Sequence, residues 1–95
     1  MKKKGFNYLY VMKTDNNYYK IGVTNNPDVN VRLKQIKTSN PNKVEVVFFE
    51  ERPNAQKAER FLHKEFDAQR VHGEWFQDIT LRDIRVKLML FFNQE

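Results

Sequence analysis

The 95-residue chain contains no cysteine. That excludes a disulfide, a thiolate metal site and a cysteine nucleophile. It fits a reducing compartment, so a cytoplasmic location is expected. Long apolar runs are missing as well. Nothing approaches the ~20 residues that span a membrane, and no apolar stretch follows Lys2, Lys3 and Lys4 as it would in a signal peptide. Glycine and proline are scarce, three of each, which leaves no Gly-rich phosphate loop and no flexible linker. There is no internal repeat, no HExxH motif and no Ser-His-Asp pattern. The length suffices for one core and not for two. The expected organisation is a basic tip over 1–5 and a single domain over 6–95.

What the chain does have is aromatic bulk and positive charge. Eight Phe, four Tyr and one Trp can fill a small core, because each ring buries a large area. Seventeen Lys and Arg against twelve Asp and Glu leave a net charge of +5, which favours polyanionic partners.

The periodicity predicts an α+β domain of order ββαβαα, with a small three-stranded antiparallel sheet flanked by three helices. Phe6 to Lys13 alternates as a strand, placing Phe6, Tyr8, Tyr10 and Met12 on one face. The polar turn 14–17 leads into a second strand, Tyr18 to Thr24, with Tyr18, Lys20 and Gly22 on one face. Asn26-Pro27 reads as a cap and first residue of a helix running to Lys37, with Val29, Leu33 and Ile36 as its apolar stripe. Lys43 to Glu50 is the third strand. Asn54 caps a helix to about Phe66 whose arc is Ala55, Ala58, Phe61, Leu62 and Phe66. Gln69 to Phe76 reads as a loop. Thr80 and Asp83 form a capping-box pattern for the last helix, with Ile79 and Ile84 as a hydrophobic staple.

The candidate chemistry lies in polar residues beside apolar faces. Glu59 and His63, four apart, share one edge of the second helix's arc. A carboxylate there costs desolvation unless hydrogen bonds or charge compensate. A metal ion or Arg32 would do so; alternatively, Glu59 is a half-exposed residue in an ordinary helix pair with His63. Tyr8, Tyr10 and Lys20 line the hairpin, either as groups that hold water near a phosphate or as cross-strand packing. Arg32 is either a fork of donors for phosphate or a solvated helix arginine. The 73–76 cluster is either a binding rim or packing for Trp75 and Phe76.

In this order and spacing, the residues resemble the GIY-YIG nuclease superfamily, and most closely its T5orf172 branch. Tyr8-Leu9-Tyr10 stands where the GIY tripeptide belongs, and Lys20-Ile21-Gly22 where YIG belongs. Arg32-Leu33 matches the family arginine, and the 58–63 segment followed by Phe66 matches the helix with the metal-binding glutamate. Gly73-Glu74-Trp75-Phe76 matches the closing motif of the branch. The likeness covers residues 6–78. It implies a divalent metal, magnesium or manganese, held by Glu59, with Tyr10 orienting or deprotonating the attacking water. Lys20 would lower the pKa of Tyr10 or hold the water, and Arg32 would neutralise the phosphate. Tyr8 and His63 would support. Lys20, Arg32, Lys34 and Trp75 would contact nucleic acid, DNA rather than RNA. Two positions depart from the pattern: Ile36 replaces a His or Tyr, and Glu74 or Trp75 stands near a missing asparagine. The alternatives are a non-catalytic nucleic-acid-binding module and a protein-interaction module. No membrane partner is expected, and the Phe91-Phe92 end of the last helix is a candidate homodimer contact. The branch is frequent in phages and mobile elements.

Overall fold

A computed structural model describes residues 8–93. The basic tip and the first two residues of the expected strand, Phe6 and Asn7, lie outside the described residues. Strand β1 (Tyr8–Thr14) runs through the middle of the fold. It pairs antiparallel with β2 (Tyr19–Thr24) on one side and with β3 (Val44–Glu51) on the other. Leu9, Tyr10, Val11 and Met12 are each no more than 2% exposed. A strand covered on both faces needs a continuous apolar run, and β1 has one.

Helix α1 (Val29–Thr38) covers one face. Val29, Leu33 and Ile36 pack with Tyr10, Met12 and Val44. Helices α2 (Ala55–Glu65) and α3 (Leu81–Asn93) cover the other. Ala55, Ala58, Leu62, Phe66, Ile84 and Leu88 meet Leu9, Val11 and Ile21 there. The capping box forms as the sequence predicts: Thr80 N–H donates to Asp83 Oδ2 at 2.9 Å, and Asp83 N–H to Thr80 Oγ1 at 3.1 Å. Ile79 and Ile84 are both buried in the same cluster. Asn54 is the cap residue of α2, as expected.

Two expectations need correction. The sheet has five strands rather than three, in the order β3-β1-β2-β5-β4. The expected loop over 69–76 folds into a hairpin of β4 (Arg70–His72) and β5 (Trp75–Phe76). Gly73, at φ +55°, supplies the left-handed residue that such a tight turn requires. Pairing of β5 with β2 then buries Phe76 completely. Strands of two and three residues are too short to show a period, so the pattern could not announce them. Helix α1 also begins later than expected. Asn26 Oδ1 accepts from Asp28 N–H at 2.8 Å, which spends Asn26 on a local turn. Asp28 becomes the cap and accepts from Asn30 N–H at 3.0 Å.

Among the described residues, no helix is long and apolar enough to cross a membrane. Phe91 and Phe92 are both engaged within the chain, Phe91 against Phe61 at 5.2 Å and Phe92 beneath Arg52 at 4.4 Å. The apolar residues that α3 leaves exposed are Val86, Met89 and Leu90.

Candidate active site

Register brings the first two candidates together. Tyr10 on β1 sits directly opposite Gly22 on β2. Its ring lies over that glycine so closely that a Cβ at position 22 would stand 2.5 Å from the hydroxyl oxygen and 2.6 Å from Cζ. The same Cβ would approach Glu74 Oε1 to 3.0 Å. Gly22 is therefore the space in which a phenol and a carboxylate meet. This is a steric reason for glycine at the end of Lys20-Ile21-Gly22, independent of any turn.

The β4-β5 hairpin delivers Glu74. Ile21 N–H donates to Glu74 O at 3.1 Å, which docks the turn on β2. Trp75 pairs with Lys20 across the strands. The Lys20 ammonium then lies 2.9 Å from Glu74 Oε1 and 5.6 Å from the centre of the Trp75 ring. Its side chain is only 16% exposed, so this cation is largely withdrawn from water.

Helix α1 closes the site from above. Tyr10, Lys20, Val23, Arg32, Gln35, Ile36 and Glu74 line a cavity of about 290 Å³. Arg32 is steadied by Gln35, whose Oε1 accepts from Nη1 at 3.3 Å. Glu59 comes from α2, on the opposite face, and its carboxyl adjoins that of Glu74.

The electrostatics follow from this crowding. Burial pushes the Glu59 carboxyl up to about 7, and the adjoining Glu74 carboxylate adds to the shift. Lys20 and Arg60 oppose it. Burial also pushes the Tyr10 phenol up to about 12, with Glu74 and Glu59 adding and Arg32 opposing. The net shift of the phenol is upward, and the cation that opposes it is Arg32, while the Lys20 ammonium pairs with Glu74.

Tyr10, Lys20 and Arg32 thus line one cavity, and Glu59, which is not part of its lining, adjoins it through Glu74. Tyr8 does not line the cavity; its ring stacks on Phe49 at 5.2 Å. His63 is held elsewhere, with Nε2 2.8 Å from Ile21 O and its ring 5.2 Å from that of Phe76. It ties α2 to β2. Lys34 is exposed on α1, and Trp75 is half-buried beside Lys20. The group that pattern reasoning passed over as a site residue is Glu74. Its signal was present: a carboxylate between a turn glycine and two aromatic residues of a strand.

Among the described residues, no group of three or more His, Cys, Asp or Glu side chains is arranged to hold a metal ion. The carboxyl oxygens present suit a hard cation such as magnesium, which needs only one or two carboxylates and takes its other ligands from water and phosphate.

Residues 5–88 match the T5orf172 domain family. The chain belongs to that family. No curated protein and no solved structure matches this T5orf172 domain.

Proposed function

We propose that this T5orf172 domain is a metal-dependent endonuclease module of the GIY-YIG kind, hydrolysing phosphodiester bonds in DNA. The nuclease and DNA-binding theme of its family supports the reading, as does the net charge of +5. The observation that carries it is the placement of Glu59. Its carboxyl is partly buried beside that of Glu74, within electrostatic reach of Lys20 and Tyr10. A structural role for Glu59 would be better filled by a neutral residue. A cation relieves the conflict.

Glu59 would hold magnesium or manganese. The ion, when bound, supplies positive charge at the scissile phosphate and its leaving oxygen. Arg32 reaches the cavity from α1 and neutralises charge that builds on the phosphate. Tyr10, with its pKa near 12, is a phenol at neutral pH. It orients the attacking water by hydrogen bonding rather than by taking its proton. Lys20 and the exposed Lys34 add positive charge along the path of the nucleic acid, and Trp75 offers an aromatic face at its rim.

Two observations favour a second reading, nucleic-acid binding without cleavage. Ile36 lines the cavity where an acid–base residue would serve, and His63 is committed to Ile21 O. Incubating supercoiled plasmid with magnesium, wild type beside Glu59→Ala, separates the two. Nicking by wild type that disappears in Glu59→Ala, with folding unchanged, establishes the enzyme. If neither protein nicks with magnesium or manganese while both bind DNA in a salt-sensitive manner, the binding module stands instead.

A further inference from the structure

Glu74 has a place in the fold that packing alone does not explain. It sits in a two-residue turn with its side chain 39% exposed, yet its carboxylate turns to Lys20 and lines the cavity. The backbone bond from Ile21 N–H to Glu74 O at 3.1 Å anchors the turn. The missing side chain of Gly22 makes room for Oε1. The ammonium of Lys20 compensates it at 2.9 Å. Its carboxyl also reaches that of Glu59. Three separate devices therefore hold one carboxylate over Gly22 and against Lys20, beside the residue proposed to hold the metal.

We infer that Glu74 is the second carboxylate of the cation site, and that Lys20 is its resident countercharge, displaced when a divalent ion binds. The inference rests on the proposed role of Glu59 as metal ligand. Without the ion, Lys20 neutralises Glu74 and the site stays folded. With the ion, Glu59 and Glu74 face one divalent charge, and the lysine, released from its partner beside Trp75, is available to a phosphate oxygen.

The lysine thus competes with the metal, and that competition has a consequence a purely structural ion pair lacks. Removing Glu74 weakens metal binding, whereas removing Lys20 strengthens it. The test is titration of the DNA-free protein with Mn²⁺, following the free ion by its paramagnetic resonance signal. Wild type, Glu59→Gln, Glu74→Gln and Lys20→Met are compared, with a melting curve for each. Glu74→Gln should weaken Mn²⁺ binding by about tenfold or more, since ligand charge count tunes the affinity of hard-cation sites over decades. Lys20→Met should tighten it. If Glu74→Gln binds Mn²⁺ like wild type while Glu59→Gln loses it, the inference is overturned and Glu59 alone holds the ion, leaving the proposed function intact. If Lys20→Met binds no more tightly than wild type, the exchange is overturned. If wild type binds no Mn²⁺ and cuts no DNA, both readings fall together. Should Glu74→Gln melt before it can be titrated, Lys20→Met still decides the exchange.

Discussion

Two of the chain's concave regions differ in character, and the larger has the less chemistry. Between β3 and α3 lies a groove of about 670 Å³, lined in part by Phe48, Arg52, Met89 and Phe92. Arg52 bonds Glu50 at 2.7 Å and lies over the Phe92 ring at 4.4 Å. The cavity beneath α1 has less than half that volume, about 290 Å³, yet its charges are in conflict. Glu59 is pushed up to about 7 and Tyr10 up to about 12. Groups strained in this way, gathered in a cleft, mark a functional site better than volume does.

The comparison can be broken at several points. Arg32→Ala should lower DNA cleavage by about 100-fold, the usual cost of losing one donor that stabilises developing charge. Single-turnover rates at saturating protein measure it, and an unchanged rate would remove Arg32 from the site. A smaller effect is expected at Gly22. The Cβ of Gly22→Ala would press on the Tyr10 hydroxyl and cost about 1–3 kcal/mol, as overpacking of a filled core does. Urea denaturation reads the loss; wild-type stability would mean that Tyr10 moves freely.

The pH dependence of stability sharpens the contrast further. Glu59 binds its proton more tightly in the folded chain, near pH 7, than at the ordinary value of 4.5. The stability this contributes is present below about 4.5 and is lost as pH rises through about 7. Metal-free wild type should therefore fall in melting temperature relative to Glu59→Gln across that window. Parallel curves would mean that Glu59 is not in conflict. The smallest effect belongs to the large groove. Arg52→Ala should cost ~1 kcal/mol or less, because exposed ion pairs contribute little, and cleavage should stay within about twofold of wild type on the same grounds. A large loss of cleavage there would reverse the ranking of the two regions.

Much of this was legible in the residue pattern. The three helices and three long strands follow from apolar periodicity, from Asn54 and from the Thr80–Asp83 box. A site of Tyr10, Lys20, Arg32 and Glu59 was suggested by resemblance; the first three line one cavity, and Glu59 adjoins it through Glu74. The short β4-β5 hairpin was not legible, because its strands carry too few residues to display a period. The contact of His63 was hidden for a related reason. Helical spacing places it beside Glu59, but spacing cannot tell that Ile21 O lies within 2.8 Å of its ring.

By itself, then, the sequence determined the α+β class, the helical faces, the basic balance and the family motifs, because those depend on periods and residue types that repeat or lie close along the chain. The tertiary structure alone decided that Glu74 meets Lys20, 54 positions away, and that Gly22 is the gap in which phenol and carboxylate meet. Such contacts are set by strand register and by the docking of a two-residue turn, and a one-residue slip would turn every side chain of a strand to the opposite face.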